Sequence, residues 1–165
     1  MMLKNELDIE RINSILQHMK MVESISQKLA KKLLPTDRAL ALKLIKLGRT
    51  HDLSKFNSFE FQNLNREPWT STANFERALR IHHKNNKHHP EYWDSIHDMP
   101  DEYVAEMVCD CFARSQQFGT SVTTWFKKKM TKIYDFKMTD PVGIKIQTYL
   151  NFLLDPIFTK TKIKK

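Results

Sequence analysis

The sequence predicts an all-α fold, a compact single-domain bundle of about six helices. Three observations favour this class. Only three of the 165 residues are glycine, which argues against a turn-rich β protein. Apolar residues recur at steps of three and four, the spacing of one helical face. The length suits one domain with a sizeable core, and neither a repeat nor a linker divides the chain.

The first two helices are predicted on either side of Pro35. One apolar stripe defines the first helix and consists of Ile15, His18, Val22, Ile25 and Leu29. This helix should end before Pro35, because proline has no amide hydrogen to continue the helical bonding. Thr36 or Asp37 is then expected to cap a second helix, which leads to His51.

The remaining elements are less regular. Residues 57–72 are polar and predict a long loop, and residues 73–86 predict a third helix with His82 on its apolar face. Pro100 marks the start of a fourth helix. A fifth helix is predicted from one apolar face, made of Val122, Trp125, Phe126, Met130 and Ile133. The last helix should run from Pro141 to about Phe158, with Ile157 and Phe158 available to the core.

Positive charge is concentrated in a Lys-rich C-terminal region, residues 126–165. This region holds ten lysines, three acidic residues and no arginine, a net charge of +7 that leaves +1 for the first 125 residues. We expect a solvated surface. Weak association with nucleic acid is the alternative, but the region lacks the arginine and interleaved aromatic residues of a nucleic-acid groove.

The cysteines and the hydropathy indicate the cellular compartment of the protein. Cys109 and Cys111 are two apart, which on a helix puts them on different faces, so they predict small buried side chains rather than a disulfide. Such usage is typical of a reducing compartment. With no positively charged, then apolar, leader and no apolar run of about 18 residues, we expect a cytoplasmic protein without a membrane partner.

Histidine is strongly clustered. Residues 80–98 contain five of the seven histidines: His82, His83, His88, His89 and His97. Such a stretch is either a solvated polar loop or part of a metal site, since histidine is the commonest metal ligand. Elsewhere, His18, the pair His51-Asp52 and Asp110 are predicted on inward helix faces. Burying these groups without partners is costly, and one shared metal centre would satisfy them all.

The types of ligand narrow the choice of metal. Imidazoles with carboxylates suit one or two divalent ions such as Mn²⁺, Fe²⁺, Co²⁺, Ni²⁺ or Zn²⁺. A structural zinc site of the cysteine kind is disfavoured, because the chain has no usable pair of thiolates.

The order of these residues, a histidine, an adjacent His-Asp, further histidines and then an aspartate, resembles the HD superfamily of metal-dependent phosphohydrolases. "HDLSK" is similar to the His-Asp-x-x-Lys of its two-metal phosphodiesterase branch, which includes the HD-GYP proteins. The "GYP" segment is replaced by residues 90–93, Pro-Glu-Tyr-Trp. The segments "HHKNNKHHPEYW" and "EMVCD" also resemble a small HD-like family of bacterial and phage proteins.

The resemblance implies roles for particular residues. A first metal would be held by His18, His51, Asp52 and Asp110. A second would be held by His82, His88 and His89, with Asp52 bridging the two ions. Lys55 would contact a phosphate oxygen or, without the resemblance, would be an exposed lysine at a helix end.

Some positions keep two interpretations. His83 is the alternative to His82 as a ligand, since only the helical phase separates them. Glu91 is either an orienting partner of a histidine or exposed, and His97 is expected to cap a helix or lie on the surface.

The function predicted from this resemblance is hydrolysis of a phosphoester in a nucleotide-like substrate, by a phosphodiesterase or a nucleotidase. Two alternatives come from other classes. One is a non-catalytic HD-fold module that binds a nucleotide, nucleic acid or protein, and the other is a di-iron oxygenase of HD type.

Overall fold

The computed structural model describes residues 6–64 and 71–155. All regular secondary structure within these ranges is helical, which confirms the predicted all-α class. The α-helices are α1 (Glu6–Leu33), α2 (Arg38–Thr50), α3 (Ser58–Asn63), α4 (Thr72–Asn85), α5 (Asp101–Phe118), α6 (Val122–Trp125), α7 (Thr131–Ile133) and α8 (Pro141–Leu154). Short 3-10 turns lie at Leu53–Phe56, Pro90–Tyr92 and Ile96–Asp98, and Phe126–Met130 is a π-helical turn.

Helices α1 and α2 form a tightly packed hairpin. Asp37 caps α2, because its side chain accepts a hydrogen bond of 2.9 Å from the amide of Leu40. Near the other end of α2, a Cβ at Gly48 would lie 2.6 Å from the Cβ of Ser26 on α1. Glycine at this position therefore lets the two helices approach closely, and this approach holds His51, three residues later, against α1.

Helix α5 lies at the centre of the core. Five of its side chains are fully buried: Val104, Ala105, Val108, Cys109 and Ala113. It packs against α1, α2 and α8, and small side chains such as Ala105 and Ala113 allow the neighbouring helices to come close. Buried residues of all four helices form a single hydrophobic cluster. Asp110 is thereby positioned on a helix that is held on several sides.

Two predicted elements are wrong. Residues 57–72 were expected to be a loop, but α3 forms there: Asn57 caps it by accepting from the Phe59 amide at 3.2 Å, and Phe61 is buried. The continuous fifth helix is interrupted by the π-helical turn at Phe126–Met130. A π turn bonds to the fifth residue instead of the fourth and shifts the helical phase, so Ile133 is exposed rather than inward.

The last helix ends at Leu154. The predicted extension to Phe158 and the packing of Ile157 lie outside the described residues. Cys109 is buried and Cys111 half-buried, and both are free thiols, in agreement with the sequence. Among the described helices, none combines the length and apolarity needed to span a membrane.

Candidate metal centre

Seven predicted ligands converge between α1, α2, α4 and α5. They are His18, His51, Asp52, His82, His88, His89 and Asp110. His18 lies on α1, His51 and Asp52 lie at the end of α2, His82 lies on α4 and Asp110 lies on α5. His88 and His89 come from the loop after α4, just before Pro90. The structure therefore brings together every residue for which a ligand role was predicted.

Asp52 lies between two groups of histidines. Its Oδ2 is 3.4 Å from Nε2 of His51 and 3.9 Å from Nε2 of His18. Its Oδ1 is 3.3 Å from Nε2 of His82 and 3.6 Å from Nε2 of His88. One buried carboxylate thus turns a different oxygen to each group.

The backbone of Asp52 is left-handed, with φ 57° and ψ 18°. Few residues other than glycine adopt this region, although aspartate and asparagine tolerate it better than most. The conformation ends α2 abruptly and starts the 3-10 turn at Leu53–Phe56. A strained residue at the meeting point of two histidine groups is typical of a functional position.

Each group is compact enough to hold one ion. In the first group, Oδ1 of Asp110 is 3.0 Å from Nε2 of His18 and 3.8 Å from Nε2 of His51. In the second group, the Nε2 atoms of His82 and His89 are 3.0 Å apart. The potential ligand atoms of the first group (His18, His51 and Asp110) and those of the second group (Asp52, His82, His88 and His89) lie, within each group, less than 4.8 Å from one another.

Several of these atoms are buried without a hydrogen bond. Six buried side-chain nitrogen and oxygen atoms lack a partner among the described residues, and five of them belong to this centre. The five are Nε2 of His18, His51 and His88, Oδ1 of Asp52 and Oδ1 of Asp110. An unsatisfied buried polar atom costs about 1–3 kcal/mol, so five converging on one point call for a common partner. A cation fits, because all five can donate a lone pair.

Outer carboxylates orient the imidazoles. Oε1 of Glu106 lies 3.0 Å from Nδ1 of His51 and 3.5 Å from Nδ1 of His88. Oε2 of Glu60 lies 3.0 Å from Nδ1 of His82. A carboxylate accepts from Nδ1–H, and this tautomer leaves the Nε2 lone pair directed to the centre.

Glu60 and His18 are themselves held in place by hydrogen bonds. Glu60 is fully buried and accepts hydrogen bonds of 2.8 Å from both Ser54 and Asn85. Nδ1 of His18 donates to Oε1 of Gln117 at 3.1 Å. With these contacts, four of the candidate ligand histidines have their ring oriented by a second residue, as metal-ligating histidines usually do.

Sequence reasoning missed these orienting residues. Glu106 is four residues before Asp110 and shares its face of α5, a spacing that could have revealed it. Gln117 is two turns beyond Asp110 on the same helix, a weaker signal. Glu60 lies in the segment expected to be a loop, so the sequence carried no signal for it.

A comparison with models of protein families assigns the chain to a family. The model of a family described as "Family of unknown function (DUF5662)" matches residues 8–151. The chain belongs to the DUF5662 family. The matched region includes the whole candidate centre, from His18 to Gln117. No curated protein and no solved structure gives a significant match.

The electrostatics of this DUF5662 protein favour ionised carboxylates at the centre. Burial alone would raise the pKa of Asp52, but His51 and Lys55 outweigh it and hold this pKa well below its usual range. Burial is likewise outweighed at Asp110, whose pKa is lowered by the neighbouring His18 and by the charge of His51. Both carboxylates are therefore in the charged form that binds cations.

The histidines divide into two kinds. Burial, then the charge of His51, lowers the pKa of His88 to about 4, and burial with the neighbouring His88 and His82 lowers that of His89 to about 2. Burial also lowers the pKa of His82. At His51 burial acts in the same direction, but Asp52, Glu106 and Asp110 raise its pKa to about 10. The three histidines of the second group are thus neutral, as metal ligands must be, whereas an ion in the first group would have to displace the proton of His51.

The other residues singled out from the sequence, Lys55, His83 and His97, have different environments. Nζ of Lys55 donates to Oδ2 of Asp52 at 2.5 Å, and the lysine lines a cavity of about 360 Å³ next to the centre. His82 faces Asp52, whereas Nδ1 of His83 lies 3.7 Å from Glu91. His97 is exposed, as expected.

Arg114 is an addition that the sequence did not single out as functional. It lies one turn after Asp110 on α5, with its Nε 3.9 Å from Oδ1 of that aspartate. It also lines the same cavity as Lys55. Two cations, Lys55 and Arg114, therefore border the cavity into which the candidate ligands open.

Proposed function

We propose that this DUF5662 protein is a metal-dependent phosphohydrolase of HD type that cleaves a phosphoester of a nucleotide-like substrate. The single observation that carries the proposal is the position of Asp52, whose Oδ1 and Oδ2 face separate histidine groups. A carboxylate that presents its two oxygens to separate groups of ligands can bridge two ions. The order of His18, His51-Asp52 and Asp110 along the chain, similar to that of HD enzymes, supports the same assignment.

The residues fit a pair of divalent ions. His18, His51, Asp52 and Asp110 would hold one, and His82, His88 and His89 would hold the other with the second oxygen of Asp52. Such ions, when bound, supply a hydroxide at neutral pH and neutralise the oxygens of the phosphate. Imidazole and carboxylate ligands suit Mn²⁺, Fe²⁺, Co²⁺, Ni²⁺ or Zn²⁺.

The chain's own cations would bind and orient the phosphate. Lys55 and Arg114 border the 360 Å³ cavity, and each currently contacts a carboxylate of the centre. Lysine acts on a phosphate as a point charge, whereas arginine offers a planar fork that can contact two oxygens at once. Two cationic side chains that line the cavity favour an anionic ester over a neutral substrate.

The test is a metal-supplemented activity screen. Purified protein is stripped with chelator, reloaded with Mn²⁺, Fe²⁺, Co²⁺, Ni²⁺ or Zn²⁺ in turn, and assayed with p-nitrophenyl phosphate, bis(p-nitrophenyl) phosphate and a panel of nucleotides. We expect turnover that depends on the metal and is lost in Asp52→Asn. The monoester and the diester separate a nucleotidase from a phosphodiesterase.

Two outcomes would contradict the proposal. Absence of turnover with every metal and substrate would favour a non-catalytic binding module. A metal content dominated by iron, together with oxygen consumption and no phosphate release, would favour an oxygenase. His97→Ala is the matched control for substitutions of the candidate ligand histidines, because His97 is exposed and belongs to none of the potential metal-binding groups.

A further inference from the structure

A second and larger cavity opens onto the candidate centre. Its volume is about 700 Å³, and it shares His89, Asp110 and Arg114 with the smaller one. Pockets for small molecules usually span about 300–1,000 Å³ and have mostly apolar walls with a few polar groups. The size, and the direct continuity with the centre, mark this cavity as a place for part of the substrate.

The walls of this cavity are largely aromatic and apolar. Helix α5 contributes Met107, Cys111 and Phe118, and the following segment contributes Trp125 and Met130. Phe118 is 70 % exposed and Trp125 39 % exposed, although both are large apolar residues. Exposed aromatic side chains at the rim of a cavity are typical of surfaces that a ligand covers.

The π-helical turn shapes one wall. Phe126 and Met130 at its two ends are buried and anchor it to the core. Lys128 and Lys129, between them, line the cavity, and Nζ of Lys129 lies 5.7 Å from the ring centre of Trp125. π turns inside helices occur frequently at functional sites. This one combines an aromatic face with positive charge.

We propose that the 700 Å³ cavity binds the aromatic ring of a phosphoester substrate, with the ring against Trp125 and Phe118 and the phosphate at the metal centre. The proposal rests on the proposed function and deepens it by assigning the subsite for the non-phosphate group. An alkyl chain would also fill an apolar cavity, but Trp125 and the adjacent Lys129 offer stacking and cationic contacts that a flat, electron-rich ring uses better. Trp125 and Phe118 thus determine substrate specificity without contacting the phosphate.

The test compares ligands that differ only in the apolar group. Binding of 1-naphthyl phosphate, n-octyl phosphate and inorganic phosphate to the Mn²⁺-loaded protein is measured by calorimetry, so that the result does not depend on turnover. We expect 1-naphthyl phosphate to bind about tenfold more tightly than n-octyl phosphate, and more tightly still than inorganic phosphate, since one aromatic contact of about 1.4 kcal/mol gives a factor of ten. Trp125→Ala should remove most of this preference without changing the affinity for inorganic phosphate.

Two further variants make the test specific. Trp125→Phe keeps a ring and should retain most of the preference, which guards against an effect of misfolding. Ile133→Ala, an exposed residue of the same segment outside the cavity, should change nothing. The proposal is overturned by equal binding of the naphthyl and octyl esters, by no measurable binding of the naphthyl ester, or by an intact preference in Trp125→Ala.

Failure of this proposal can be told from failure of the proposed function. Hydrolysis of aryl and alkyl esters at equal rates, with no aromatic preference in binding, overturns the subsite alone. Tight binding of 1-naphthyl phosphate that depends on Trp125, without hydrolysis of any ester, supports the subsite and contradicts the phosphohydrolase.

Discussion

Glu106 lies 3.0 Å from Nδ1 of His51, although the two residues come from different helices, α5 and α2. The same carboxylate reaches His88, so it orients one histidine of each group. Glu106 is 4 % exposed and has no role at the surface. This contact couples the geometry of the two groups through a residue that was not among the predicted ligands.

Removing the charge of Glu106 should weaken metal binding without preventing folding. In Glu106→Gln the side chain keeps its volume, but its contact with Nδ1 of His51 becomes weaker. Loss of such an orienting partner typically costs about 10- to 100-fold in metal affinity. Competition with a fluorescent chelator measures the change. Glu102→Gln on the same helix is the control, because Glu102 pairs with Lys43 at the surface; an equal loss in both variants would contradict the assignment.

The purified protein should contain up to two divalent ions per chain. The motivation is seven candidate ligand residues in two groups, more than one ion needs. Elemental analysis of the native protein should give up to two equivalents, and His82→Ala with His88→Ala should lower this number by about one. His97→Ala should match the wild type. An unchanged metal content in the double variant would rule out the second group.

Asp52→Asn should abolish hydrolysis while leaving the fold intact. Asparagine has nearly the same volume and tolerates the left-handed backbone at this position, so the change isolates the charge. We expect a loss of activity of about a thousandfold or more, and a smaller loss, about ten- to a thousandfold, in Lys55→Ala. Steady-state kinetics and circular dichroism provide the measurements.

Asp135 supplies the matched control for this variant. Among the described residues other than glycine, only Asp52 and Asp135 have a positive φ, and that of Asp135 is 46°. Asp135 is exposed and far along the chain from the candidate ligands. Asp135→Asn should keep full activity. Near-normal turnover by Asp52→Asn would contradict the bridging role.

Gly48→Ala should destabilise the protein and lower its metal occupancy together. The new Cβ would lie 2.6 Å from both Cβ and Oγ of Ser26, so α1 and α2 must move apart. Overpacking of this kind typically costs about 1–3 kcal/mol. Thermal unfolding and elemental analysis check the prediction, with Thr50→Ala, an exposed change in the same helix, as the control. A stable variant with normal metal content would show that the close approach is dispensable.

The sequence predicted the longer elements because their apolar stripes are continuous. The stripe from Ile15 to Leu29 located α1, and the cap at Asp37 located α2. Helix α3 was missed because it is six residues long and largely polar. Its stability depends on tertiary contacts, namely the burial of Phe61 and the hydrogen bonds of Glu60. The π turn was missed because an apolar pattern with four-residue steps does not reveal a local extra residue.

The residues of the candidate centre were likewise predicted only in part. Imidazoles and carboxylates on apolar helix faces singled out His18, His51-Asp52, His82 and Asp110, since burial without partners is costly. The resemblance to HD enzymes added His88 and His89. The orienting residues Glu60, Glu106 and Gln117 are common polar types that stand out only once the helices are packed. The large cavity with Trp125 depends on the turn that the sequence did not reveal.

The distribution of the ligands along the chain has a consequence for assembly. His18 on α1 and Asp110 on α5 meet at 3.0 Å only when these two helices pack against each other, so the unfolded chain offers no preformed cage. An ion held by both acts as a reversible cross-link that closes a long loop, and its binding free energy is then also free energy of folding. Supply of metal would thus decide how much of the newly made polypeptide survives in its native form.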